Sequence, residues 1–529
     1  MPKISLAARL LASAASGALL LTADLATAQT RPTDPSTLDI LQVLVEKGVL
    51  SQTDADAVLG EARKRSEQRS DVVRVPYVPE ALRAEIKEEV KADVMATARQ
   101  ENWAQPGALP NWLDRFTLSG DMRVRGEWKN FGDGNTPLIP NVTEIRNRGG
   151  ISELATPPFL STTDGRFRSR VRGRLAVDAK VSDSVQAGLR FVTGDVADPT
   201  STNETLSPNF DKVNVNLDRA FIKVTPFRES PLLRNTSAIA GKFDNPFFAT
   251  EIMWDRDVQF DGAALSTDIA FGDHFSAPHL FGTIGAFPLD EFSTKTEDKV
   301  LYAVQLGGSI QPTERMKFRA AAAYYYFDNV QGQFNTLGLR DHDETTPRRV
   351  QYGNSLFNVR RDNAVPNTVL FGLASGYEVA ALTARAEFKL TDALMLAFDA
   401  EGLVNTAFDD NTLRTTYGVP ASSGDTAWHI RGTIGTPKID VRGDWQFSAG
   451  YRHIEADATL DLFTDSDFGL GGTDQEGFVV RGSIGLSERL ALEGSWFSAR
   501  TIDLIDPLTG ARADSIDSDT AQLDLIVKF

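Results

Sequence analysis

The sequence predicts an all-β transmembrane protein: an antiparallel β-barrel of about sixteen strands, alternatively eighteen, preceded by a short helical periplasmic N-terminal segment. Three observations predict this fold class. The chain begins with an export signal, many of its segments place apolar residues at every second position, and the connections between these segments alternate between short and long.

The export signal occupies residues 1–28. Lys3 and Arg9 flank the start of an apolar run from Leu10 to Leu21, and small residues at Ala26 and Ala28 mark a cleavage site. The run is shorter than the roughly 20 apolar residues that a membrane-spanning helix needs, and no such segment follows it. The chain contains no cysteine, so we expect no disulfide, no thiolate chemistry and no lipid-anchored cysteine.

Period-two segments follow from residue 113 to 529, which we assign to the barrel. In FTLSGDMRVRGEW, for example, Phe116, Leu118, Met122 and Val124 alternate with polar residues. The candidate strands are 116–128, 166–181, 185–194, 212–225, 236–243, 257–270, 277–288, 300–310, 315–327, 376–390, 393–404, 424–436, 442–454, 477–486, 488–499 and 519–529. Many are close to the 9–11 residues with which a tilted strand crosses a bilayer. The alternation slips at 218–221, where we expect a β-bulge.

The connections separate a membrane barrel from a soluble sheet. Those after even-numbered strands are short, as at 182–184 and 391–392, whereas those after odd-numbered strands are long, as at 129–164 and 328–375. Bacterial outer-membrane barrels have this parity, and an even strand number places both chain ends in the periplasm.

The last strand predicts contact with the membrane. Leu523, Leu525, Val527 and the terminal Phe529 share one face, which we expect to face lipid, with Phe529 in the interfacial aromatic girdle. We expect the partners of the barrel to be outer-membrane lipids, small hydrophilic solutes and, through this C-terminal strand, the barrel-assembly machinery.

The segment before the barrel has two predicted helical parts. Residues 29–70 contain a helical hairpin in which Gly48 ends the first helix, and Ser51 with Asp54 begins the second. Residues 71–112 contain an extended stretch and a charged helix with Leu82, Ile86, Val90 and Val94 at four-residue spacing. So narrow a stripe needs a partner, which a trimeric coiled coil or a docking surface would supply. A homotrimer is therefore our hypothesis.

The stretch GRFRSRVRGR places arginine at alternate positions. With 72 acidic against 55 basic residues the net charge is −17, which repels nucleic acid, so any anion preference is local. We expect these side chains to line the lumen. Two interpretations stay open: an anion-favouring wall, or arginines that pair with lumenal carboxylates such as Asp121, Glu127 and Asp178. The predicted pore-lining residues are Arg123, Arg125, Arg168, Arg170, Arg172, Arg174, Arg190, Asp121 and Glu127.

Four segments resemble the putative porin family of Gram-negative bacteria: GDMRVRGEW, STNETL at 201–206, AGKFDNPFFATEIMWDRDVQFDGAAL at 240–265, and RVPYVPE at 74–80. The resemblance covers most of the mature chain and implies an outer-membrane β-barrel porin. The chain lacks a PEFGG-like constriction-loop motif. Our candidate for the constriction loop is therefore 244–256, because Asn245 and Pro246 break the strand and three aromatic residues add apolar mass. The candidate residues are Asp244, Asn245, Pro246, Phe247, Phe248 and Trp254; an ordinary extracellular cap is the alternative.

Acidic residues concentrate in the predicted loops, notably between Glu455 and Glu476, where we expect a solvated face. Bridging of divalent cations to anionic lipids is a weaker alternative. None of the five histidines lies in a recognised catalytic motif, although Asp341, His342 and Asp343 are adjacent in a long loop. We therefore expect a passive diffusion pore without catalytic residues, cofactor or metal. A structural tether or adhesin, and less so a barrel hydrolase, are the alternatives.

Overall fold

The computed structural model describes residue 45, residues 51–67, and residues 113–529 apart from 153–154, 207–208, 273, 293–296, 361–368 and 421–422. The predicted signal peptide, most of the first helix of the predicted hairpin and the charged helix at 80–100 lie outside the described residues. The chain divides into two units, Met1–Pro106 and Gly107–Phe529, which we treat separately.

In the first unit, helix α1 runs from Gln52 to Glu67. Ser51 caps its start, because the Ser51 hydroxyl accepts from the Asp54 amide at 3.2 Å and donates to the Asp54 carboxylate at 2.6 Å. In the second unit, the short helices α2 (Val142–Asn147) and α3 (Asp410–Thr412) lie in loops, and a π-helical turn at Leu413–Tyr417 follows α3. Single 3₁₀ turns occupy Leu113–Arg115, Asp343–Thr345 and Asp461–Phe463. None of the described helices is long and apolar enough to cross a membrane.

The second unit is built from strands. In chain order they are β1 (Phe116–Phe131), β2 (Arg166–Lys180), β3 (Val185–Thr193), β4 (Glu204–Thr205), β5 (Val215–Val224), β6 (Ser237–Asp244), β7 (Gln259–Ala270), β8 (His279–Asp290), β9 (Lys299–Thr313), β10 (Met316–Asp328), β11 (Leu356–Asn358), β12 (Phe371–Leu373), β13 (Tyr377–Lys389), β14 (Met395–Asn405), β15 (Thr426–Gly435), β16 (Trp445–Ile454), β17 (Gln475–Ser487), β18 (Leu490–Thr501) and β19 (Asp517–Lys528). The sixteen predicted strands all occur, within a few residues of their predicted ends.

The main sheet closes into a barrel, because β1 pairs with both β2 and β19 in antiparallel register. Seventeen strands belong to this sheet. The two-residue β4 pairs with β2 at Arg170 and Val171, whereas β3 pairs with β2 from Arg174 onward. β4 therefore lies on the same side of β2 as β3 and does not count as a separate strand of the wall. Sixteen strands thus form the wall, as predicted, while β11 and β12 pair separately in a loop.

Side chains alternate between an exposed outer face and a buried inner face. On β1, Met122 and Val124 are 55% and 53% exposed, whereas Asp121 and Arg123 are each 9% exposed. The outer face is therefore apolar and the inner face charged, the reverse of a water-soluble barrel. The chain end belongs to the wall, since the Phe529 amide donates to the Gly120 carbonyl at 3.0 Å and its carbonyl accepts from the Gly120 amide at 2.9 Å.

Most connections have the predicted parity; 225–236, with 12 residues, is longer than 291–298, with eight, and departs from it. One end of the barrel, the long-loop end, carries the connections 132–165, 194–214, 245–258, 291–298, 329–376, 406–425, 455–474 and 502–516. The other, the short-turn end, carries 181–184, 225–236, 271–278, 314–315, 390–394, 436–444 and 488–489, together with the start of β1 and the end of β19.

The expected bulge lies in β5. In the pairing of β5 with β3, Arg190 lies opposite Arg219, but the next residue, Phe191, lies opposite Leu217. Asp218 therefore has no partner in the ladder, as in a β-bulge. The bulge points the Asp218 carboxylate at Arg190, whose Nε donates to it at 2.9 Å.

Several long loops fold into the lumen. The largest apolar cluster combines Ile252, Met253 and Trp254 of the 245–258 connection with wall residues and with Leu460 of the 455–474 connection. The prediction that the acidic run from 455 to 476 is a solvated face is wrong. Asp457, Asp461 and Asp474 are at most 3% exposed, because this loop packs against other loops, whose Ser355 and Ser423 donate hydrogen bonds to Asp457 and Asp474.

Candidate functional site

Six arginines line one side of the inner wall, and we call them the arginine array: Arg123 and Arg125 on β1, and Arg168, Arg170, Arg172 and Arg174 on β2. The β1–β2 register sets their neighbours. Asp121 lies opposite Arg174 and Glu127 opposite Arg168, whereas Arg123 and Arg125 lie opposite other arginines. Two cross-strand pairs thus have opposite charges and two have like charges.

Arg125 is the most extensively paired member of the array. Its Nε and Nη2 donate to the two carboxylate oxygens of Asp524 at 2.7 and 2.8 Å, in the bidentate geometry that a guanidinium favours. Its Nη1 donates to Asp467 of the 455–474 loop at 2.9 Å. Arg123 lies 3.6 Å from the same Asp524 and donates to the Asn203 side chain at 2.5 Å.

Two carboxylates on β1 hold the β2 arginines. Asp121 accepts from Arg172 at 2.7 Å and from Arg174 at 2.6 Å. Glu127 accepts from the Arg168 Nε at 2.9 Å, and its second oxygen lies 3.4 Å from Arg170. The structure thus pairs the array with Asp121 and Glu127.

Two further residues named in the sequence analysis lie outside the arginine array. Asp178 is near the short-turn end of β2, opposite Thr117 and Gly188, away from the array. Arg190 lies on β3 and pairs with Asp218, and so belongs to a separate ion pair. Leu523, Leu525, Val527 and Phe529 are 42–48% exposed on the outer face.

The candidate constriction loop, predicted at 244–256, corresponds to the 245–258 connection, which reaches across the lumen. Its Thr250 hydroxyl and amide donate to Glu401 on β14, and its Asp257 accepts from Arg174 on β2 at 3.3 Å. At its start, Asn245 accepts from the Phe247 amide at 2.9 Å. The loop is therefore attached to the arginine array on one side and to a distant strand on the other.

Aromatic packing fixes this loop against the wall. Trp254 is 4% exposed and its ring lies 4.7 Å from Phe260, 5.6 Å from Tyr325 and 5.3 Å from Phe463. The neighbouring Phe248 amide donates to Gln305 at 2.8 Å. Asp244 and Pro246 lie at the base of the loop, and Asp244 pairs with Arg219.

Glu251 of the same loop lies among four arginines. Its carboxylate is within 3.0 Å of Arg431, 3.4 Å of Arg481 and 3.6 Å of Arg452, and it also pairs with Arg256. Burial alone would raise the pKa of Glu251, but the four guanidinium groups lower it well below its usual value. Glu251 is therefore a buried anion that ties the loop to β15, β16 and β17.

Further carboxylates complete this second charged cluster. Asp465 accepts from Arg452 at 2.6 Å, and Asp399 accepts from Arg431 at 3.1 Å and from Arg385 at 2.8 Å. Sequence analysis missed this cluster and Asp524. The available signal was strand phase, which places Arg431 and Asp524 on the inner face, but phase alone does not show which distant strands or loops face each other.

Among the described residues, two of the cavities border the candidate site. One, of about 380 Å³, is bordered by apolar residues of the 245–258 region, including Trp254 and Phe260, and by Asp195 and Asp218. The other, of about 240 Å³, adjoins the arginine array; its charged lining consists of Lys129, Arg166, Arg168, Arg170, Arg349, Glu127, Asp198 and Asp467. We call this second space the array cavity. Among the described residues, no group of side chains is arranged to hold a metal ion.

A protein-family model described as "Putative porin" matches residues 34–529. The match covers nearly the whole chain outside the predicted signal peptide. The chain belongs to this porin family. The family and the closed sixteen-stranded wall together identify an outer-membrane β-barrel.

Several solved structures match this porin at low similarity. The high-pH structure of OprB from Pseudomonas putida covers 79% of this chain and 95% of its own, with 11% identity and a TM-score of 0.43. The trimer form of OmpT from Vibrio cholerae covers 79% and 100%, with 10% identity and a TM-score of 0.40. The outer-membrane channel DcaP of Acinetobacter baumannii covers 78% and 97%, with 11% identity and a TM-score of 0.38. A search of curated proteins returned no match.

The adjacent Asp341, His342 and Asp343 of this porin have other partners. Asp343 accepts from Arg360 and from Asn335, and Asp341 accepts from the Thr336 hydroxyl at 2.7 Å. The His342 ring lies 3.9 Å from Asp341, beyond hydrogen-bond distance. The two carboxylates therefore stabilise the loop rather than orient a catalytic imidazole.

Proposed function

We propose that this porin allows passive diffusion of small hydrophilic solutes, with a preference for anions set by the arginine array. The observation that supports this is the local charge balance. Between Asp121 and Lys129 of β1 and between Arg166 and Arg174 of β2, eight inner-face cations meet five carboxylates from these strands, β19 and two loops, although the whole chain carries −17. The cations are Arg123, Arg125, Lys129, Arg166, Arg168, Arg170, Arg172 and Arg174; the carboxylates are Asp121, Glu127, Asp257, Asp467 and Asp524.

The two interpretations of the arginines then combine. Ion pairs hold the guanidinium groups in fixed positions, and the excess of cations leaves a local positive potential along this part of the lumen. Fixed charge of this kind attracts an anion without the cost of rearranging the wall. The array therefore acts as a charge filter whose geometry is maintained by its own carboxylates.

We further propose that the 245–258 loop narrows the pore. It is attached to β2 through Asp257, to β14 through Thr250 and to β15–β17 through Glu251. A loop anchored on opposite walls leaves solutes only the space beside it. Solute size would then depend on this loop, and solute charge on the array next to it.

Liposome swelling tests the diffusion function. We expect liposomes that contain the porin to swell in small sugars, and to swell faster in a small organic anion than in a cation of equal size. The absence of swelling with correctly folded protein would contradict the proposal and favour a structural tether or adhesin.

Export and assembly are parts of the same proposal. We propose that residues 1–28 are removed as a signal peptide, so that Gln29 becomes the N-terminal residue of the mature chain, which N-terminal sequencing would show. The exposed Leu523, Leu525 and Val527 would contact lipid and present the C-terminal strand to the barrel-assembly machinery. We also propose a homotrimer, through the stripe of Leu82, Ile86, Val90 and Val94. A monomeric mass by light scattering would contradict it.

A further inference from the structure

Lys129 and Arg166 form an uncompensated pair of like charges. They lie directly opposite each other in the β1–β2 register, where like charges destabilise a sheet. The Lys129 ammonium donates to the Gly469 carbonyl at 2.5 Å and lies 5.5 Å from the Phe131 ring. Among the described residues, neither cation has a carboxylate within the 4.0 Å of an ion pair.

The other like-charge pairs of these strands are compensated. Arg125, opposite Arg170, has Asp524 at 2.7 Å. Arg172, opposite Arg123, has Asp121 at 2.7 Å. The outermost pair, at the long-loop end of the array, thus differs from the pairs below it in lacking an anion.

The array cavity adjoins this pair, and its carboxylates are already engaged. Glu127 is shared by Arg168 and Arg170, Asp198 accepts from Arg349 at 2.7 Å, and Asp467 accepts from Arg125. Five cations therefore line a cavity that contains three carboxylates. The cavity volume of about 240 Å³ is many times the roughly 10–15 Å³ that one water molecule requires, so a small hydrated ion fits.

We propose that the array cavity binds a small oxyanion of the chemical class of inorganic phosphate, at the outer entrance to the arginine array. Several oxygens on one anion suit a site that offers guanidinium forks and an ammonium together. The bound anion supplies the charge that the Lys129–Arg166 pair lacks. The inference rests on the proposed anion preference and refines it, from a diffuse field to a discrete binding site.

The test compares three forms of the full-length protein in detergent: wild type, the double variant Lys129→Gln with Arg166→Gln, and a control with Arg414→Gln and Arg500→Gln. The control removes two exposed arginines that pair with Asp410 and Glu476, away from the cavity. Each is unfolded by heat while inorganic phosphate replaces chloride at constant ionic strength. A bound ligand raises the unfolding temperature in a saturable way.

We expect saturable stabilisation of the wild type and the control, and an apparent affinity about tenfold or more weaker in the double variant, since two charge-assisted contacts are lost. Equal stabilisation of all three forms, or none of the wild type, would overturn the inference. Stabilisation by lipopolysaccharide but not by free phosphate would also overturn it, because the ligand would then be a lipid headgroup.

A second readout separates this inference from the proposed function. In single-channel recordings, phosphate added at the long-loop side should lower the chloride current of wild type and control at concentrations about tenfold lower than for the double variant. Conducting pores with no phosphate effect would overturn the binding site and leave the diffusion function standing. Protein that phosphate stabilises but that does not conduct would overturn the diffusion function and leave the binding site standing.

Discussion

At the scale of single residues, Glu251 lies where the 245–258 loop meets three wall strands. Four arginines surround its carboxylate, which is buried. Neutralising such a group leaves buried cations that are poorly solvated. This should lower the free energy of unfolding more than the loss of one exposed ion pair does. Glu251 is therefore the residue whose removal should loosen the loop most.

We expect Glu251→Gln to lower the free energy of unfolding by about 3–5 kcal/mol, because it removes a buried anion and leaves Arg431, Arg452 and Arg481 to share only Asp399 and Asp465. Denaturant unfolding in detergent measures this. The matched control is Asp261→Asn, which breaks the 2.8 Å pair with Lys242. Because both side chains of that pair are at least 35% exposed, its loss should cost less than about 1 kcal/mol. Equal effects of the two substitutions would show that Glu251 does not anchor the loop.

Two buried aspartates of the 455–474 loop should make stability depend on pH. Burial raises the pKa of Asp461 and of Asp474 from 3.8 to about 7. The folded protein thus holds these protons more tightly than the unfolded chain does. Their contribution to stability is complete below about pH 4 and is lost as the pH rises to about 7.

We therefore expect the unfolding temperature to fall between pH 4 and pH 7, and to fall less in Asp474→Asn. Asparagine suits the site, since residue 474 has a φ of 54°, which asparagine tolerates. Asp133→Asn, at an exposed loop position, should keep the wild-type profile. If the unfolding temperature of Asp474→Asn depended on pH as that of the wild type does, Asp474 would not be a source of the pH dependence.

At the scale of elements, the 245–258 loop depends on Trp254. The indole packs on Phe260, Tyr325 and Phe463, so Trp254→Ala should cost about 3–5 kcal/mol of packing. If the loop narrows the pore, the variant should conduct more current and admit larger sugars in liposome swelling. Trp128→Ala is the control, because Trp128 is 45% exposed on the outer face and should not affect the lumen. Unchanged conductance in a folded Trp254→Ala protein would make the loop a cap rather than a constriction.

The elements were far more predictable than their contacts. Period two identifies strands because one face meets lipid and the other the lumen, and each wall strand was found this way. The pairing of Arg125 with Asp524 joins residues 399 positions apart, and that of Arg431 with Glu251 joins residues 180 apart. Such contacts depend on barrel closure and on loops that fold inward, which no local pattern specifies. The buried aspartates of the 455–474 loop looked like a solvated run for the same reason.

At the scale of the whole molecule, the chain is acidic overall, but one part of its inner wall is basic. The net charge of −17 would by itself favour cations near the surface. We propose that the array reverses this preference locally, because its arginines lie on adjacent strands and outnumber their carboxylates. Selectivity in this porin is therefore expected to follow the narrow part of the lumen rather than the overall charge.

The most direct test is the reversal potential of single channels under a KCl gradient. We predict discrete current steps with an anion-selective potential, which moves toward zero when Arg168, Arg170 or Arg172 is changed singly to Gln and stays unchanged in Arg500→Gln. A cation-selective potential would contradict the role of the arginine array. The absence of steps from correctly folded protein would contradict the pore itself.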